Sequence, residues 1–340
     1  MSTDPARPYR VELASHFMEP LSVTSEHASK TLAAILRDLL SGQSWKQVRQ
    51  LIETRRAKVN GDLCMDPARR LKEGETVELL ARPAPRPRQA EAIVIRHLDE
   101  HVVVVEKPSG ISTVRHPLER DWTARRKALA PTLEDLTPPV VARQEGRKSS
   151  GPRLRVVQRL DKDTSGLVVF ARTVTAERGL GKQFHAHTVI RRYLALVPGF
   201  VPPQRIDLRL VRDRGDGRRG VTHNPDEGKE AATLVEVAER LAGYTLLSCR
   251  LETGRTHQIR IHLAALGHPV CGDKVYCHLP NGDVRPDHSG APRLALHALE
   301  LGFTHPVTRE ALHWSMPLPP DLEALLDRLR GRHGRDKDAD

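Results

Sequence analysis

The spacing of apolar positions changes several times along this chain, and each change marks a part of it. Between Lys30 and Leu40, the residues Leu32, Ile35, Leu36, Leu39 and Leu40 recur at helical spacing, and Val48, Leu51 and Ile52 predict a second short helix. The period then drops to two. Lys58-Val59-Asn60-Gly61-Asp62 carries an Asn-Gly turn signal, and Glu73-Gly74-Glu75-Thr76-Val77-Glu78-Leu79-Leu80 alternates as a strand entered from a turn. Arg82-Pro83-Ala84-Pro85-Arg86-Pro87-Arg88 cannot continue a helix or a central strand, because proline lacks an N–H and fixes φ, so it reads as an extended linker. Beyond it come strand-like runs at Ile93-Val94-Ile95 and Val102-Val103-Val104-Val105, joined by a polar Asp-Glu-His turn. Further apolar runs follow at Leu154 to Val157, Leu167 to Phe170 and Tyr193 to Val197, and a helix starts near Arg260 and runs through Leu263 and Leu266.

The pattern predicts an α+β protein in five parts: an N-terminal extension (1–27), a small α/β domain (28–82), the linker (83–92), a larger β-rich domain (93–330) and a polar tail (331–340). Neither end shows sustained periodicity, so both are expected to be loosely held. The polar, basic stretches from Val114 to Pro152 and from Arg205 to Lys229 predict exposed loops.

Charge narrows the partner. Lys and Arg outnumber Asp and Glu by 54 to 43, a formal charge of +11, which favours a polyanion and nucleic acid first. The cysteines Cys64, Cys249, Cys271 and Cys277 are too sparse for a disulfide framework, and Cys271, Cys277 and His278 lack the second ligand pair of a zinc site. No apolar run is long enough for a membrane span and no signal-peptide pattern opens the chain, so a cytoplasmic protein without membrane contact is expected.

The candidate chemistry sits at Arg159-Leu160-Asp161-Lys162-Asp163-Thr164-Ser165-Gly166-Leu167, where a polar turn between two apolar runs presents Asp161 at a cleft. Loop chemistry by itself makes Asp161 a turn or cap residue. The run, however, resembles the catalytic motif of the RluA-type RNA pseudouridine synthases, in which the aspartate is catalytic. Two more segments match that family in order. One is Val189-Ile190-Arg191-Arg192-Tyr193-Leu194-Ala195-Leu196-Val197. The other, Gly254-Arg255-Thr256-His257-Gln258-Ile259-Arg260-Ile261-His262-Leu263, continues through Gly272-Asp273 to Leu294-Ala295-Leu296-His297-Ala298. The resemblance implies a pseudouridine-synthase fold with a mixed, mostly antiparallel β-sheet core. It also implies an isomerase that needs no cofactor and no metal.

In that reading Asp161 acts on the nucleotide by adding to the base, attacking the anomeric carbon, or taking a sugar proton, and each route needs it ionised. Arg260 is implied as the guanidinium that keeps it so, and Tyr193 as the active-site tyrosine that stacks on the base and reaches a proton. Arg159 is implied to fill the stack vacated by a flipped nucleotide. Arg191, Arg255 and His257 complete the substrate-binding set. The chain departs from the family at Gln158, usually histidine, and at Arg191, usually lysine, which puts substrate preference and loop support in question. Glu106-Lys107-Pro108-Ser109-Gly110 matches an early family segment and reads as a structural turn.

The domain at 28–82 resembles the S-four-like RNA-binding fold in its serine-containing turn, Lys58-Val59-Asn60-Gly61 and Glu73-Gly74-Glu75. That implies phosphate contacts from basic residues including Lys46, Arg49, Arg55 and Lys58. Members with this appendage favour large-subunit ribosomal RNA over tRNA, as naked rRNA or within a ribosomal precursor particle. The competing readings are an RNA-binding or ribosome-assembly factor without turnover, and a hydrolase using Asp161 and Asp163.

Overall fold

A computed structural model describes residues 20–337, apart from 41, 85–92, 150, 152, 215–217 and 278–284. Most of the expected linker, and His278, lie outside the described residues. By chain contacts the described residues fall into two units, one within 1–86 together with 123–130 and the other holding the rest.

The first unit runs β1 (Leu21–Ser22), α1 (Leu32–Leu39), α2 (Trp45–Glu53), β2 (Ala57–Val59), β3 (Asp62–Leu63) and β4 (Thr76–Leu79). Both predicted helices form. Thr31 caps α1 through Ala34 N–H, and Ser44 and Gln47 make a reciprocal capping box on α2. Asn60 and Gly61, at φ +54° and +76°, turn β2 into β3 as the Asn-Gly signal demands. The sheet order is β1-β4-β2-β3, and Leu32, Ile35, Leu36, Val48, Ile52, Val59 and Val77 form its core with the helices.

In the second unit the chain continues through β5 (Val94–Leu98) and β6 (Val102–Lys107). Next come α3 (Ala124–Leu129), which belongs to the first unit, and α4 (Leu133–Gln144). Then follow β7 (Arg155–Val156), β8 (Ser165–Ala171), α5 (Val174–His185), β9 (Ile190–Pro198), β10 (Gln204–Val211), β11 (Gly220–Thr222), β12 (Lys229–Leu241) and β13 (Tyr244–Leu251). The chain ends with α6 (Gln258–Ala265), β14 (Leu296–Thr304), β15 (Ala311–Ser315) and α7 (Pro320–Lys337). The sheet is 11-stranded, ordered β11-β10-β12-β13-β9-β14-β8-β6-β5, with β15 on β14 and β7 on β8. It is the mixed, mostly antiparallel sheet expected, since β8 and β14 are parallel and the other pairs of this sheet antiparallel.

Both faces of the sheet are covered, which explains the unbroken valine run of β6. Val103 and Val105 join Val168, Phe170 and α7 in one core, while Val102 and Val104 join Leu167, Val169 and α5 in another.

Two expected loops are instead largely regular structure. Within 114–152, Thr132 and Asp135 cap α4, which buries Leu133, Val140 and Val141 despite Pro138 and Pro139. Within 205–229, β10 pairs with β12 from Gln204 to Leu210; its arginines lie on the wet side of an alternating strand that buries Ile206 and Leu210. The expected tail is helical as far as Lys337, as part of α7.

The parallel β8–β14 junction positions the site. Gly166 pairs with Ala298, which pairs in turn with Tyr193, so the strand leaving the Asp161 turn lies one strand away from the tyrosine. Only glycine fits at 166. Its φ is +126°, and a Cβ would sit 2.3 Å from the Ala298 carbonyl oxygen and 2.6 Å from the Ala298 Cβ. Gly166→Ala should therefore lower stability by about 3 kcal/mol or more, read as a fall in the urea midpoint; an unchanged midpoint would show that the junction yields.

Beside it, Ser165 Oγ and His297 Nδ1 are 2.9 Å apart, and His297 Nε2 lies 3.2 Å from the Met316 carbonyl. Burial lowers His297, and likewise the fully buried His262 of α6, to about 4. Between there and the usual value near 6.5, the unfolded chain binds protons that the folded chain does not. Stability is thus whole above pH 6.5 and falls toward pH 4, by roughly 3 kcal/mol per histidine. Ring-proton NMR should show both rings titrating near 4; midpoints near 6.5 would mean that neither is held neutral.

Candidate active site

The turn before β8 is fixed by the end of β6 and the segment that follows it. Lys107, fully buried, donates from Nζ to the carbonyls of Pro108 (3.0 Å), Lys162 (2.8 Å) and Thr164 (2.6 Å). An ammonium has three donors, and all three are used. Burial lowers Lys107 to about 7, opposed by the charges of Asp163 and Asp161. Ser109 Oγ donates to the Asp163 carbonyl, and Thr113 Oγ1 both donates to the Leu160 carbonyl and accepts from the Leu160 N–H. The expected structural turn is therefore also the clamp on the Asp161 loop.

Asp161 keeps 21% of its side chain exposed and lines a cleft of about 720 Å³. Arg260, in the first turn of α6, donates from Nη1 to Asp161 Oδ2 at 3.3 Å. Its other face is bound by Asp273, with Nε to Oδ2 at 2.6 Å and Nη2 to Oδ1 at 2.9 Å. Asp273 is completely covered, and also accepts from Val275 N–H (2.8 Å) and Tyr276 N–H (3.0 Å). Burial works against both charges, yet the pair outweighs it. Arg260 is held above its usual value by Asp273 and then Asp161, and Asp273 is held below its own by Arg260 and those N–H groups. The buried carboxylate thus aims one remaining guanidinium edge at Asp161.

Tyr193 is buried on β9 and lines the same cleft. Burial pushes its hydroxyl up to about 12, so it is a proton donor at neutral pH; the charge of Arg191 and a hydrogen bond with Gln158 oppose that shift. Gln158 Oε1 accepts from Val169 N–H, so the neutral residue at this departure braces β8.

Arg191 lines the cleft at 6% exposure with its Nε lacking a hydrogen-bond partner, and pairs with no carboxylate among the described residues. Burial lowers its pKa. Arg159 and Arg255 are exposed on the rim, Arg255 donating to the Glu230 carbonyl at 3.0 Å. Gln258 pins the loop before α6 by accepting from Thr253 Oγ1 and Arg255 N–H while donating to the Ala232 carbonyl and Thr233 Oγ1. His257, also lining the cleft, has its Nε2 3.8 Å from Asp161 Oδ1.

In the first unit, Lys46 and Arg49 are exposed on α2. Lys58 pairs across the sheet with Glu78 at 3.2 Å, and Arg55 donates to the carbonyls of Ala84 (3.3 Å) and Leu129 (2.6 Å). Donors of Arg55 and Lys58 thus hold protein groups.

Asp273, Tyr276, Lys107, Thr113 and Gln258 were not among the site residues picked from the sequence. A second cavity, of about 640 Å³, lies behind the Asp161 loop, but its arginines are paired, Arg96 with Glu106 and Arg293 with Asp321.

The fold and this site define a class, the RNA-modifying isomerases that make pseudouridine. Residues 101–265 match the family described as RNA pseudouridylate synthase. "Ribosomal large subunit pseudouridine synthase D" of Nitrosomonas europaea is 39% identical over 76% of this chain and 72% of its own length. The protein of the same name from Haemophilus influenzae is 31% identical over 91% of this chain and 94% of its own. Among solved structures, human RNA pseudouridylate synthase domain containing 4 superposes with a TM-score of 0.56 at 23% identity, over 71% of this chain and 95% of its own. The chain belongs to the RNA pseudouridine synthase family, in its RluA-type branch, and its small N-terminal sheet is consistent with an S-four-like domain. No helix among the described residues is long and apolar enough to cross a membrane.

Proposed function

We propose that this enzyme isomerises uridine in large-subunit ribosomal RNA, with Asp161 as the group that acts on the nucleotide. The observation that carries the assignment is the chain of charges that runs from the buried Asp273 through Arg260 to Asp161 in the basic cleft. The ribosomal substrate rests on the names of the relatives.

A uridine turned out of its stack enters the cleft, at a cost of a few kcal/mol, and Arg159 on the rim takes the vacated place. Arg260 holds the Asp161 carboxylate through Oδ2 while it acts on the nucleotide. The bond from N1 to the anomeric carbon breaks and one from C5 to that carbon forms. C5 loses its proton to solvent water, N1 takes one from solvent, and the mass is unchanged. Tyr193, with its hydroxyl protonated, supports the base. Arg191, whose Nε has no protein acceptor, binds an oxygen of the nucleotide, with Arg255 on the flanking backbone. Lys46 and Arg49 add salt-sensitive phosphate contacts; Arg55 and Lys58 join them only by sharing donors with their protein acceptors. The setting is the cytoplasm, on naked rRNA or a ribosomal precursor particle.

The test is incubation of purified protein with transcribed large-subunit rRNA and with tRNA, followed by pseudouridine mapping. Pseudouridine at discrete positions of the large-subunit RNA supports the proposal. Conversion of tRNA alone would move the substrate, bound but unchanged RNA would favour an assembly factor, and free uracil would favour the hydrolase.

A further inference from the structure

Asp161 is held unevenly. Arg260 binds Oδ2 through one nitrogen, Nη1, because Nε and Nη2 are committed to Asp273. The other oxygen, Oδ1, faces His257 Nε2 at 3.8 Å. His257 sits at the start of α6 in the left-handed region, φ +59° and ψ +21°, a conformation that costs about 1 kcal/mol or more for a side chain of its kind. On the far side of the ring, Nδ1 lies 2.8 Å from Tyr276 Oη, and the two rings meet edge to face at 76°. Tyr276 is 5% exposed, and its ring also lies 4.9 Å from the Arg260 guanidinium carbon. One tyrosine therefore braces both neighbours of Asp161, through its ring on one side and its hydroxyl on the other.

The two ways of placing the ring proton are not equivalent. With the proton on Nδ1, the lone pair of Nε2 would point at a carboxylate oxygen. With Tyr276 donating to Nδ1, the ring proton is on Nε2 and its dipole faces Oδ1. We propose that Tyr276 is a positioning residue for Asp161, acting through His257: its hydroxyl donates to Nδ1 and so fixes the ring with Nε2–H toward the carboxylate. At 3.8 Å this N–H is beyond hydrogen-bond reach and acts as an oriented dipole. The proposal rests on Asp161 being the catalytic group. Burial lowers the pKa of His257, so the neutral ring, for which the tautomer matters, is the form present at pH 8. The charges that face it are those of Asp161, Arg260, Asp273 and Arg219.

Tyr276→Phe keeps the ring on Arg260 and removes only the hydroxyl. In tritium release from transcribed large-subunit rRNA labelled at uridine C5, it should lower kcat at pH 8 on the order of tenfold with KM within about twofold. The defect should shrink as pH falls through the His257 titration, which burial places below the ordinary value near 6.5, because a protonated His257 presents Nε2–H whatever Tyr276 does. In a His257→Gln background, where an amide N–H replaces the ring N–H, adding Tyr276→Phe should change nothing further. An unchanged kcat, or one lowered equally at every pH and in both backgrounds, overturns the proposal and leaves Tyr276 as packing. Asp161→Asn runs alongside: if it turns over like the wild type, the reading of Asp161 falls first and this one with it.

Discussion

Asp161→Asn should lose turnover by on the order of 10⁴-fold or more while binding RNA within a few fold of the wild type. The substitution removes a charge but little volume, and the geometry says that the neighbourhood survives it. Arg260 keeps both bonds to the buried Asp273, so no cation is left stranded, and the loop carbonyls of Lys162 and Thr164 remain on Lys107. Because backbone-directed RNA affinity comes from cations spread over the cleft rim and beyond, one carboxylate fewer should slightly favour binding. Paired measurements on one preparation, filter binding for affinity and C5 tritium release for turnover, separate the two effects. Turnover near the wild-type rate would remove Asp161 from the chemistry; loss of both activity and affinity would point to a collapsed loop.

Arg260→Met should have the second largest effect, on two properties at once. It leaves Asp273 with no exposed surface and without its counter-charge, a loss of about 3–5 kcal/mol in stability, and it removes the cation beside Asp161. Adding Asp273→Asn should restore most of the stability, since Asn can still accept from Val275 and Tyr276 N–H and no buried charge remains. It should not restore activity. The urea midpoint and the turnover rate are thus expected to part company in the double variant. If turnover returns with stability, Arg260 serves the fold and not the carboxylate.

The residues that sequence brought forward were those carried by motifs in recognisable order. Asp161, Tyr193 and Arg260 come from three distant segments, and the β8–β14–β9 register together with α6 gathers them into one cleft. What escaped were supporting residues whose role depends on a partner far along the chain. A lysine reads as solvent-exposed until its carbonyl partners are seen, and those of Lys107 include carbonyls on the far side of the Asp161 turn. Asp273 enters the sequence reading only as part of the third family-like segment, and only the fold shows it to be a covered anchor for Arg260. The missed helix α4 has a plain cause: Pro138 and Pro139 interrupt its interior, and its apolar residues do not keep to one stripe. In β10 the alternation was present but masked by arginines on the exposed side.

The most direct measurement is pseudouridine-specific mapping of total RNA from cells with and without this gene, complemented by the wild type or by Asp161→Asn. Discrete positions in large-subunit rRNA should lose the modification on deletion and regain it only with the wild-type gene. If no position in that RNA changes while the protein is expressed, the proposed substrate is wrong; if Asp161→Asn restores the positions, so is the proposed catalytic group.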